Sequence, residues 1–152
     1  MELEIIKEAC LAFLQVATKA DGKNPLESLL MRLSKLQEVT LSIDPHATPL
    51  SSIEYPEKHE DFRSLRSKFS QAYPNLGLYH YLSCTDLEHE PKIFTGDAID
   101  DLLDIYCEVK TAMSIWEKEP MAAACDLKLS YWRHWGSHVN DLQKVVFERL
   151  HD

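Results

Sequence analysis

The stretch NPLESLLMRLSKLQEVTLSI, residues 24–43, decides the fold class. Asn24 stands where an N-cap belongs, and Pro25 takes the first helical position, where a missing N–H removes no hydrogen bond. Glu27, three residues after the cap, is placed to reach back to it as in a capping box. From there Leu26, Leu29, Leu30, Leu33, Leu36 and Ile43 keep to one helical face, until Asp44-Pro45 ends the run.

The same period extends outward on both sides. Leu3, Ile6, Cys10, Phe13 and Ala17 mark an amphipathic helix over 2–20, stopped by Asp21-Gly22, so two antiparallel helices are expected to open the fold. Residues 44–57, DPHATPLSSIEYPE, hold three prolines and read as a long surface connection. A third helix is expected over 58–72, with Phe62, Leu65, Phe69 and Tyr73 on one side and Pro74 closing it. Residues 75–96 are irregular: LGLYHYL fits a short strand or a bent apolar segment lying across a bundle. A strong helix follows over 97–118, with acids in its first turn and Leu102, Tyr106, Val109, Met113 and Trp116 as its buried stripe. Pro120 opens a last helix that runs to about residue 150. The expected architecture is a single all-α domain over 1–152, a bundle of about five mostly antiparallel helices.

Bulk properties agree and narrow the function. A chain of 152 residues is one domain's length and buries roughly 68–70% of the surface its unfolded form exposes. Four glycines are too few for a turn-rich barrel or sandwich. The net charge of -9, from 25 acidic and 16 basic residues, repels phosphate backbones, so no nucleic-acid partner is expected. The N-terminal MELEIIKEA carries acids where a signal peptide needs basic residues, and no run approaches a membrane span; the cytoplasm is the expected compartment, with no membrane partner. Cys10, Cys84, Cys107 and Cys125 stand far apart without a C-x-x-C pair, as small apolar residues of a reducing compartment do.

Chemistry concentrates in YWRHWGSH, residues 131–138. His134 and His138, at i and i+4, stack two imidazoles on one helical face, with Asp141 three residues further on the same side. Two nitrogens and a carboxylate suit a divalent metal, zinc, iron or manganese. Histidines hydrogen-bonded into the packing account for the same pattern. Neither of these two histidines belongs to an H-E-x-x-H or E-x-x-H motif, since positions 131 and 135 are Tyr and Trp. Gly136, unfavourable inside a helix, points to a close approach there by another backbone or a ligand. On the preceding helix Asp97, Asp101, Asp104 and Glu108 share one side. They form either a solvated face or, with Asp101 or Asp104 turned toward the imidazoles, a completed carboxylate and histidine site. Tyr106, Tyr131, Trp132 and Trp135, with Trp116, could line an aromatic pocket or simply fill the core.

GDAIDDLLDIYCEVK at 96–110 followed by SYWRHWGSHVNDLQ at 130–143 resembles a group of bacterial proteins catalogued as a domain of unknown function, family 5063. The resemblance covers the chain from about Leu76 on. It rests on Asp100, Asp101, Asp104, Ile105 and Tyr106 in the acidic helix, and on His134, Trp135, Gly136 and His138. It implies a small bacterial cytoplasmic helical protein and carries no activity. Val139, and the lack of a small-residue run after it, depart from the family pattern.

Three functions are therefore open. The leading expectation is a non-enzymatic interaction or regulatory protein with another protein as partner. The alternatives are a metal-binding protein or metal-dependent hydrolase built on His134, His138, Asp141 and Asp104, and a small-molecule sensor with the aromatic pocket.

Overall fold

The Asn24 side chain accepts the Glu27 N–H at 3.4 Å and its amide donates to the Glu27 carboxylate at 3.1 Å, so the helix start is capped from both directions. In the computed structural model, which describes residues 3–46, 54–56, 61–82 and 90–152, this cap opens α2, Pro25–Leu41, after α1, Leu3–Thr18. The connection between them is short and turns at Gly22, whose φ of 78° is a left-handed conformation that glycine adopts without steric penalty. α1 and α2 pack along each other as neighbours.

α3 covers Phe62–Ala72, capped by Asp61, whose carboxylate accepts the Arg63 N–H at 3.1 Å. α4 covers Ala98–Ile115 and is capped in the same way by Asp97, which accepts the Ile99 N–H at 3.0 Å. Arg66 of α3 pairs with Asp97 at 2.6 Å and with Asp100, tying the two helices at that end. Most of the 44–57 connection lies outside the described residues, as do 58–60 of the expected third helix.

The irregular 75–96 segment contains a β-hairpin. β1, Leu78–Leu82, pairs antiparallel with β2, Ile93–Asp97, in a register that sets Tyr79 opposite Gly96 and Tyr81 opposite Phe94. Tyr79, Tyr81 and Phe94 share one face, with Tyr81 stacked on Phe94 at 5.5 Å. The strand reading of LGLYHYL therefore holds, and an otherwise helical domain carries one two-stranded addition.

The chain ends in a long rod: α5, Pro120–Ser130, then a π turn, Tyr131–Trp135, then α6, Gly136–Leu150. The Gly136 N–H closes the π turn on the Tyr131 carbonyl, five residues back. A Cβ on Gly136 would lie 2.7 Å from that oxygen and 3.0 Å from the Tyr131 ring, so the close approach comes from the rod's own preceding turn. Tyr131 and Trp135 meet edge to face at 4.8 Å, and the Trp135 indole N–H donates to Ser130 Oγ at 2.9 Å.

Phe13 of α1, Leu33 and Leu36 of α2, Phe69 of α3, Leu102 and Ile105 of α4 and Trp135, Val139 and Leu142 of the rod meet in one core. Each such side chain contributes roughly 1.5–3 kcal/mol relative to exposure. The rod packs on α2 on one side and α4 on the other, and this second contact builds the site.

Candidate metal centre

α4 presents Asp101, Asp104 and Glu108 at spacings of three and four residues, hence on one face, and that face meets the rod where His134 and His138 emerge. Asp101 is only 6% exposed. A carboxylate so buried needs donors, and it has two. His138 Nδ1–H donates to its Oδ1 at 2.7 Å, and the Tyr79 hydroxyl donates to its Oδ2 at 2.7 Å. About two helical turns along α4 from Asp101, Glu108 accepts from His134 Nδ1 at 3.0 Å. The two rings stand edge to face with centroids 5.1 Å apart.

With Nδ1 of each imidazole engaged by a carboxylate, Nε2 is the free ligating nitrogen of each. His138 Nε2 is 3.5 Å from Asp104 Oδ2. One donor atom each from Asp104, His134 and His138 can be chosen so that all lie within 4.8 Å of one another. Bonds of roughly 2.0–2.2 Å to a common ion require donors no more than about 4.4 Å apart, so a small rotation of surface side chains closes the set. Asp101 and Glu108 behind the imidazoles supply the carboxylate–histidine arrangement that fixes ring orientation and raises ligand basicity in metal sites. The donor set and its supports fit a divalent transition metal. Asp104 is 43% and His134 48% exposed in their side chains, so the open side faces solvent.

Electrostatics follow from the crowding of acids. The His138 pKa is raised, chiefly by its hydrogen bond to Asp101 and further by the nearby charges of Asp104 and Asp141, with partial burial opposing. The Asp141 pKa is raised by partial burial and then by the Asp101 charge, while His138 and Lys144 oppose. Burial and the bond to Asp101 push the Tyr79 phenol upward, so it stays a donor.

The candidate residues divide accordingly. Asp104, His134 and His138 come together, whereas Asp141 stands outside that group of three and acts on His138 through its charge. Of the acidic run, Asp101 and Glu108 hold the imidazoles, while Asp97 caps α4 and pairs with Arg66. The aromatic quartet does not share one cavity wall: Tyr106, Tyr131 and Trp135 are core, whereas Trp132 is exposed with the Lys128 ammonium 4.7 Å above its ring. The 100° wheel sets Trp132 beside Trp135, but a π turn advances less per residue and swings it outward. Cys10 and Cys125 are free thiols; burial pushes Cys10 up to about 12, consistent with a packing role. Cys84 lies outside the described residues. Tyr79 was not legible, because its approach to Asp101 depends on the hairpin register.

No family model and no curated protein matches the chain. Among solved structures, protein BF1032 from Bacteroides fragilis, a structural-genomics target, is similar with a TM-score of 0.66 at 17% identity, over 96% of this chain and 87% of that one. Likeness at that identity establishes a shared fold.

Proposed function

We propose that the protein binds a divalent transition metal through His134, His138 and Asp104, with Asp101 and Glu108 holding the two imidazoles. The observation that carries this reading is the double support: both histidines have Nδ1 tied to a carboxylate of α4, His138 Nε2 lies 3.5 Å from Asp104 Oδ2, and a ring nitrogen of His134 lies within 4.8 Å of the other two donors. A metal-ligating imidazole donates its other ring N–H to an orienting acceptor, and both histidines do so here beside a third donor. Three protein ligands on a solvent-facing site leave a coordination position open, as catalytic rather than structural zinc sites do. A bound ion would supply Lewis acidity and an activated water, the chemistry of a metal-dependent hydrolase.

The surrounding charge favours this occupant. Asp101, Asp104, Glu108 and Asp141 gather at one place on a chain of net charge -9, which attracts cations and disfavours phosphate-rich ligands. No helix among the described residues is long and apolar enough to cross a membrane.

The test is calorimetric titration of the untagged chain with zinc, manganese and iron(II), beside metal analysis of the protein as purified. Near-stoichiometric binding is expected, weakened at least about tenfold by His134→Ala, His138→Ala or Asp104→Ala. Absence of metal, with no binding and no melting shift on its addition, overturns the reading. A protein-interaction role has its own support in the hairpin, where Leu78, Leu82, Ile93 and Phe94 are exposed. Leu82→Glu with Ile93→Lys would abolish capture of a partner; unchanged capture sets that role aside.

A further inference from the structure

We infer that Tyr79 is a positioning residue for the metal centre: through Asp101 it fixes the ring of His138, and Gly96 is the residue that lets it do so. The inference rests on the metal reading for its purpose, but its geometry stands separately. Asp101 reaches two partners in opposite directions, Tyr79 through Oδ2 and His138 through Oδ1, each at 2.7 Å. A carboxylate held at one oxygen can rotate about χ2 and offer its partner either oxygen or neither, whereas one held at both has a single orientation. Tyr79 thus selects the Asp101 rotamer that accepts from His138 Nδ1 and leaves Nε2 turned to Asp104.

The hairpin is built to deliver that hydroxyl. Tyr79 and Gly96 are directly opposed in the strand register, and a Cβ at position 96 would sit 2.3 Å from Tyr79 Cζ and 2.5 Å from its oxygen. The Tyr79 ring therefore lies across the bare backbone of β2, a path any side chain at 96 would block. The hairpin is anchored to the helix it serves, since the N–H of Ala98, the first residue of α4, donates to the Gly77 carbonyl at 3.1 Å. Asp101 follows one turn later. β2 runs directly into α4, so the strand that carries Gly96 is continuous with the helix that carries Asp101.

The role differs from packing in what it changes. A ring that only filled space would leave the His138 tautomer and the affinity of the folded protein unchanged when its hydroxyl is removed. Removing a group that orients a metal-ligand histidine lowers affinity by about tenfold or more.

The test uses the full chain and Tyr79→Phe, which keeps the ring. Nitrogen NMR of histidine-labelled protein, at a pH where the imidazole is neutral, should show His138 as the Nδ1–H tautomer in the wild type and as a mixture in the variant. Zinc affinity should fall about tenfold, with unchanged circular dichroism. Gly96→Ala should produce the same two effects, and should produce neither when added to Tyr79→Ala, where no ring remains to be displaced. An unchanged tautomer with unchanged affinity in Tyr79→Phe overturns the inference and leaves the metal reading intact. A tautomer that shifts while the wild type binds no metal sinks the metal reading alone.

Discussion

Gly136 shows how a single position decides between two opposing effects. Alanine there gains roughly 0.8–1 kcal/mol of helix propensity. Its Cβ, however, would press to 2.7 Å from the Tyr131 carbonyl, whose place is fixed by the π turn. Overpacking of this kind destabilises by about 1–3 kcal/mol, so Gly136→Ala is expected to lower stability by a net 1 kcal/mol or so, read from urea midpoints; a gain would mean the turn relaxes freely. His138 sets a pH dependence. Its pKa is raised in the folded protein, so the metal-free chain has the full stabilising contribution of the imidazolium below pH about 6.5 and loses it as pH rises through the higher folded value. Stability measured from pH 6 to 9 should fall for the wild type and fall less for His138→Gln. The residues of this site differed in how visible they were. His134 and His138 announce themselves by spacing, and Asp104 by its place in the acidic run. Asp101 looks like its neighbours in sequence, and only the angle at which α4 meets the rod makes it a buried partner rather than a solvated charge.

At the scale of elements, helix starts were the most legible feature, because capping is local chemistry: Asn24-Pro25-x-Glu27 and Asp97 begin α2 and α4 where their side chains require. The hairpin was ambiguous for the converse reason. LGLYHYL has a strand partner 11 to 19 residues away, and register between them is not written in either strand alone. The π turn was invisible, since its signal is one extra residue within an unbroken apolar pattern, with Gly136 as the single hint. Its consequence is measurable. Gln37 of α2 donates its amide to Tyr131 Oη and to Asn140 Oδ1, both at 2.8 Å, and so spans the π turn from outside. Loss of both bonds in Gln37→Ala should lower stability by about 1–2 kcal/mol. In a double-mutant cycle with Asn140→Ala the two should couple; strict additivity would show that the bridge carries no energy.

Across the whole molecule, the core and the site use the same rod from opposite directions. Trp135, Val139 and Leu142 anchor it among the helices, while His134 and His138 emerge toward α4. An ion bound there joins two elements that are far apart in sequence but packed in space, and it binds the folded chain in preference to the unfolded one. Ligation at 100 times the dissociation constant should then stabilise by about 2.7 kcal/mol, visible as a rise in melting temperature that a chelator reverses. The rise should depend on pH in a direction opposite to that of the metal-free chain. Protons and metal compete for His138, whose raised pKa keeps it protonated further up the scale, so metal binding releases a proton and weakens as pH falls. Thermal melts with zinc at fixed concentration should show a shift that grows between pH 6 and 8, and that vanishes in His138→Gln at both. A shift of equal size across that range, or one that survives the substitution, would place the ion elsewhere on this acidic surface.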